Sequence, residues 1–189
     1  VFSNSLVHSP YKQESEIELD LFDVDKAGVV SLRTTLFAEA DLGRVRVGAE
    51  LVDSRSYRAV FDVEPYDINI KTNTLEPIQS YVAIDLGESA SGVPNDLTLG
   101  RFTMHLGSGR LIGRSEFRNT IQSYFGAKSA FTLTGDDQLT LFYTLPYSMG
   151  MGVNNHIKYD KPDPDLHFWG LHYQTEDLLK NINAEVFLF

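Results

Sequence analysis

The chain has 189 residues, of which 42% are hydrophobic and 22% are charged, so its composition is that of a folded domain and not of a disordered segment. Acidic residues outnumber basic residues by 26 to 16, and the net charge of −10 argues against a nucleic-acid-binding surface. The absence of cysteine excludes disulfides and thiolate metal sites. We expect a single domain over residues 1–189, with residues 1–13 as a candidate disordered segment.

Apolar and polar residues alternate in segment after segment, which is typical of strands with one apolar face. No stretch approaches the roughly 18 apolar residues of a membrane-spanning helix. The predicted strands cover residues 31–41, 44–55, 78–87, 97–107, 122–133, 138–147, 166–176 and 182–189, and Glu16 to Val24 form a weaker candidate. A tight turn at Leu42-Gly43 joins the first two into a hairpin. The fold is therefore predicted to be all-β.

In each predicted strand the apolar residues are assigned to one face. Residues 44–55 place Val45, Val47, Ala49 and Leu51 on that face, and residues 78–87 place Ile78, Val82, Ile84 and Leu86 on it. In residues 97–107 the apolar register holds Phe102, Met104 and Leu106, whereas Leu97 and Leu99 fall in the polar register.

The predicted connections alternate in length. Residues 42–43, 134–137 and 177–181 are short connections, residues 88–96 are intermediate, and residues 56–77, 107–121 and 148–165 are long. Short turns at one end and long loops at the other are typical of an antiparallel up-and-down transmembrane β-barrel. Aromatic residues near strand ends, such as Tyr147, Trp169 and Tyr173, fit the interfacial girdles of such a barrel. The alternative is a soluble carbohydrate-binding β-sandwich, with Trp169 and Tyr173 as stacking platforms.

Residues 97–128 form a basic island in this acidic chain. The island contains Arg101, Arg110, Arg114, Arg118 and Lys128, with Glu116 as its one acidic residue. Because arginine pairs bidentately with carboxylates and phosphates, such residues at a constriction would select anionic solutes. Alternatively, the segment folds into the lumen and its arginines pair with wall carboxylates such as Glu50 or Asp85. The predicted pore-lining or substrate-binding residues are Arg101, Arg110, Arg114, Arg118, Lys128, Arg44, Arg46, Glu50 and Asp85.

Several short motifs follow one another within the basic island. They are Leu-Gly-Arg at 99–101, Gly-Ser-Gly-Arg-Leu-Ile-Gly at 107–113, Phe-Arg-Asn-Thr at 117–120 and Phe-Gly at 125–126. This order resembles the alginate export family of outer-membrane porins, although Phe102 stands where that family commonly has Gln. The resemblance implies a barrel of about twice as many strands, so the chain, with about eight or nine, is expected to be an incomplete barrel.

The same resemblance implies a location in the bacterial outer membrane, in contact with its lipid. It implies passive passage or export of anionic or polyhydroxylated solutes, with a polysaccharide such as alginate as the candidate, and export-complex partners in the periplasm. The solute, the direction of transport and the oligomeric state stay open.

No catalytic constellation is visible in the sequence. The five histidines have no zinc spacing, and neither a GxSxG motif nor a P-loop is present. The loop Lys158 to Asp165 has closely spaced carboxylates but lacks the Gly and the distal Glu of a calcium loop, so it is interpreted as a solvated acidic loop. We therefore expect neither an enzyme nor a cofactor or metal.

Overall fold

The computed structural model describes residues 11–16, 29–58, 72–88, 94–114, 119–133, 137–150, 157–175 and 184–189. The strands in these residues are β1 (Tyr11–Glu16), β2 (Val29–Asp41), β3 (Val45–Arg58), β4 (Asn73–Glu88), β5 (Pro94–Phe102), β6 (Tyr124–Thr132), β7 (Gln138–Ser148), β8 (Lys161–Pro162), β9 (Phe168–Thr175) and β10 (Ala184–Leu188). The weaker candidate strand shares only Glu16 with β1, and its remaining residues lie outside the described part. Residues 1–10 of the candidate disordered segment also lie outside the described part. No helix in the described residues is long and apolar enough to cross a membrane.

The strands form one antiparallel sheet in which neighbours in the chain are also neighbours in the sheet. The order is β1-β2-β3-β4-β5-β6-β7-β9-β10, and the short β8 pairs with the end of β7. In the described sheet β1 and β10 are the two edges, so the sheet is open. The prediction of an all-β, antiparallel up-and-down fold is confirmed. The described strands form one sheet and not the two packed layers of a β-sandwich.

The connections between strands lie alternately at two ends of the sheet. Residues 42–44, 89–93, 133–137 and 176–183 connect strands at one end, which we call the turn end. The longer connections, residues 59–72, 103–123 and 149–167, join strands at the opposite end, which we call the loop end. The tight hairpin turn is as predicted, since Leu42 N donates to Val45 O at 2.8 Å and Gly43 has a φ of +91°. The observed lengths agree with the predicted alternation.

One face of the sheet, the outer face, is apolar and exposed. Val47 of β3 pairs with Val82 of β4, which pairs with Leu99 of β5, and farther along the sheet Tyr143 of β7 pairs with Trp169 of β9. These side chains are between 38% and 54% exposed. A contiguous exposed apolar surface of this kind is typical of an interaction site.

The opposite, inner face carries an apolar core beside its polar residues. Phe102, Met104, Leu106, Ile112 and Phe142 are buried together, and a smaller cluster joins Val52, Ile78 and Ile121. Three residues of the larger cluster belong to the connection after β5. A long connection therefore folds back onto the inner face and covers part of it.

The predicted faces of residues 97–107 are the reverse of those observed. Leu99 is 40% exposed and pairs with the outer residue Val82, whereas Phe102 is 1% exposed in the inner core. The strand ends at Phe102, and the chain then turns inward, so Met104 and Leu106 belong to the connection and not to a strand face.

Ile78 is likewise on the inner face and not on the predicted outer face. Strand β3 pairs Glu50 with Gln79 and Leu51 with Pro77, so Ile78 is an extra residue in β4. Such a β-bulge shifts the alternation of faces by one residue. Ile78 is consequently 0% exposed, while Val82 follows the outer register.

Candidate functional site

Residues 103–114, which we call the inner segment, fold into a compact turn. Leu106 N donates to Ile112 O at 2.9 Å, and Gly109 N donates to Leu106 O at the same distance. Gly107 and Gly109 have φ values of +53° and +71°, in the left-handed region that favours glycine. A Cβ at Gly109 would also lie 2.6 Å from the ring of His105. The shape of this turn therefore requires glycine at positions 107 and 109.

Two carboxylates on distant strands hold the inner segment. Arg114 donates to both carboxylate oxygens of Glu50 in β3, from Nη1 at 2.8 Å and from Nη2 at 2.5 Å. Glu50 also accepts a hydrogen bond from Gln79. At the other side, Ser108 donates to Glu185 in β10 from its backbone nitrogen at 2.9 Å and from Oγ at 3.1 Å. The inner segment thus crosses the inner face from β3 to β10.

Arg101 lies in a buried ion cluster, which we define as Glu76, Arg101 and Asp160. Its Nη1 donates to Glu76 at 2.5 Å and its Nη2 to Asp160 at 3.3 Å, with side-chain exposures of 7%, 0% and 1% for Arg101, Glu76 and Asp160. Nε donates to Ser123 Oγ at 2.8 Å, and the guanidinium stacks 3.7 Å from the ring of Tyr147. The charge of Arg101 is therefore turned toward protein carboxylates and shielded from solvent.

A second polar group lies on the inner face near the turn end. Arg46 pairs with Asp96 and is 3.9 Å from Glu39, which accepts a hydrogen bond of 2.5 Å from Tyr81 Oη. Gly48 leaves room for the Tyr81 ring, since a Cβ there would lie 2.4 Å from it. These contacts link side chains of β2, β3, β4 and β5 at one level of the sheet.

The remaining predicted site residues are in varied positions. Arg110 is exposed at the tip of the inner segment, and no described residue forms an ion pair with it. Lys128 lies 5.5 Å from the ring of Phe102 on the inner face. Arg44 is exposed in the turn that precedes β3, and Asp85 accepts a hydrogen bond from Gly87 N near the turn end. Arg118 lies outside the described residues.

Sequence reasoning anticipated one of these pairs and missed several partners. Pairing of a segment arginine with Glu50 is observed for Arg114. Glu76, Asp160 and Glu185 were not identified, because a contact between distant strands leaves no local pattern in the sequence. The interpretation of residues 158–165 as solvated is wrong for Asp160, which is 7% exposed. In the described part, no group of three or more His, Cys, Asp or Glu side chains is arranged to hold a metal ion.

Comparison with known families supports the resemblance seen in the basic island. Residues 11–187 match the family model described as "Alginate export", which covers nearly the whole chain. Neither a curated protein nor a solved structure matches the chain significantly. The matched range includes the inner segment and every described strand except the last residue of β10. The chain therefore belongs to the alginate export family, a family of outer-membrane transport proteins and not of enzymes.

Proposed function

We propose that this sheet forms part of the wall of an outer-membrane channel. The channel would serve the passive passage or export of anionic or polyhydroxylated solutes, with alginate as the candidate polysaccharide. The observation that carries the proposal is the contrast between the two faces. The outer face is apolar and exposed, whereas the inner face carries the ion pairs of Arg46, Arg101 and Arg114 beside its apolar core and is partly covered by the inner segment. A sheet that closes into a barrel in lipid needs this contrast.

The outer face supports contact with lipid. Leu141 and Val186 continue its apolar surface at 40% and 56% exposure. Phe125 and Trp169 are the second residues of β6 and β9 at the loop end, where an interfacial girdle of aromatic side chains would stand. Tyr143, in the middle of β7, pairs with Trp169. In outer-membrane barrels the long loops are extracellular, so the turn end would face the periplasm and any export-complex partner.

The inner face supports interaction with an anionic solute at Arg110. This guanidinium is exposed at the tip of the inner segment, next to Leu111, which is 63% exposed. Arg114, with 28% of its side chain exposed, already has Glu50 as a partner. Arg46 and Lys128 would line the wall, Arg44 and Asp85 would stand near the turn-end mouth, and Arg101 would support the loop end from within. The role of Arg118 stays a prediction from the sequence.

Single-channel recording of the full chain in planar lipid bilayers tests the proposal. Under a salt gradient, Arg110→Glu is expected to move the reversal potential toward cation selectivity, because it reverses the exposed charge on the inner segment. Arg55→Gln is the matched control, since Arg55 is a partly exposed cation of β3 that already pairs with Asp53 at 2.9 Å. An Arg110→Glu channel with an unchanged reversal potential would contradict the assignment. Folding of the chain in detergent-free buffer would contradict the membrane location itself.

A further inference from the structure

The buried ion cluster contains two carboxyl groups and one guanidinium. Glu76 accepts hydrogen bonds from Arg101 and from the backbone nitrogen of Asp160 at 3.1 Å. Asp160 accepts from Arg101, from Gly150 N at 2.7 Å and from Asn73 Nδ2 at 3.1 Å. Every one of these partners is an N–H donor. The two carboxyl groups therefore share one guanidinium as their counter-charge.

Asn73 gives an independent indication that the cluster takes up a further group. This residue is 3% exposed, and its Nδ2 donates to Asp160, so its amide lies against the cluster. Its Oδ1 is buried and has no hydrogen-bond partner among the residues that the structure describes. A buried acceptor without a partner is costly, and so are two buried carboxyl groups that share a single counter-charge. One positively charged group beside Asn73 Oδ1 would relieve both costs.

We propose that a small monovalent cation, sodium or potassium, binds between Asn73 Oδ1 and the carboxylate of Asp160. Amide and carboxylate oxygens are the ligands that hard cations prefer, and the ion would be a second positive charge beside the two carboxyl groups. The ion would strengthen the attachment of residues 157–160 to β4 and β5 at the loop end. This inference does not depend on the channel function, because it concerns the stability of the folded chain.

Heat-induced unfolding of the full chain in detergent micelles, followed by gel mobility, tests this site. The reference salt is N-methyl-D-glucamine chloride, whose cation is too large for the site. Sodium chloride or potassium chloride then replaces the reference salt stepwise at constant ionic strength. The unfolding midpoint of the wild-type chain is expected to rise and then saturate with sodium or potassium. An identical midpoint in all three salts would overturn the proposal, and so would a rise with calcium alone.

Substitutions locate the effect within the chain. Asp160→Asn removes the carboxylate ligand, so the unfolding midpoint of this variant is expected to be independent of the cation. Asp163→Asn is the matched control, because Asp163 is a carboxylate of the same loop whose hydrogen bonds lie outside the cluster, to Ser148 and Asp165. If Asp160→Asn does not fold, Asn73→Ala replaces it, with the same expected loss. Retention of the cation dependence in Asn73→Ala would contradict the assigned ligands.

Discussion

At the scale of single residues, Arg101 shows how burial changes the role of an arginine. It was selected from the sequence for its charge, yet its guanidinium is enclosed by Glu76, Asp160 and the Tyr147 ring. Arg110, nine residues along the same island, is exposed. Local sequence does not distinguish these two residues, because their burial depends on strands and loops far away in the chain.

Replacement of Arg101 is therefore expected to affect stability first. Arg101→Ala leaves two buried carboxylates without their counter-charge, which destabilises the fold by about 3–5 kcal/mol. Arg101→Lys is expected to recover part of this loss, because an ammonium keeps the charge but cannot reach both carboxylates as the planar guanidinium does. The free energy of unfolding in urea measures the effect, with Arg110→Ala as the exposed control. Equal losses for Arg101→Ala and Arg110→Ala would contradict this interpretation.

At the scale of elements, the strands were easier to predict than the segment between them. In β7 and β9 the outer positions are apolar at every second residue, as in the pairs Leu141–Leu171 and Tyr143–Trp169, so the alternation is readable although Phe142 on the inner face is apolar too. Two errors have physical causes: the β-bulge at Ile78 reverses the faces within one strand, and β5 ends at Phe102 where the apolar pattern continues. In the sequence, apolar residues that pack on the inner face, such as Met104 and Leu106, cannot be distinguished from apolar residues of the outer face.

The apolar side of the inner segment is expected to stabilise it on the wall. Met104 is 1% exposed, so Met104→Ala leaves a cavity, and the expected loss of unfolding free energy is about 2–5 kcal/mol. Leu111→Ala is the control within the same segment, because Leu111 is largely exposed, and its loss is expected to be below about 0.5 kcal/mol. Urea unfolding in lipid vesicles measures both. A loss for Leu111→Ala as large as that for Met104→Ala would mean that the segment is packed differently.

At the scale of the whole molecule, the outer face can be tested with an intrinsic probe. Trp169 is the only tryptophan of the chain and is 53% exposed on that face. If the face contacts lipid, brominated acyl chains quench its fluorescence while aqueous iodide does not. Trp169→Phe is the control that removes the signal. Efficient quenching by iodide, with none by brominated lipid, would place Trp169 in water and would exclude a lipid-facing girdle at this position.

The two attachments of the inner segment also bear on the order in which the protein assembles. Arg114 is 64 residues from Glu50 in the sequence, and Ser108 is 77 residues from Glu185. Contacts this far apart form late, because the chain must first close large loops. Because β10 is the last described strand, the inner segment can dock only after the sheet has formed as far as β10. Until then Met104, Leu106 and Ile112 are exposed to solvent, which makes the partly assembled chain prone to aggregation.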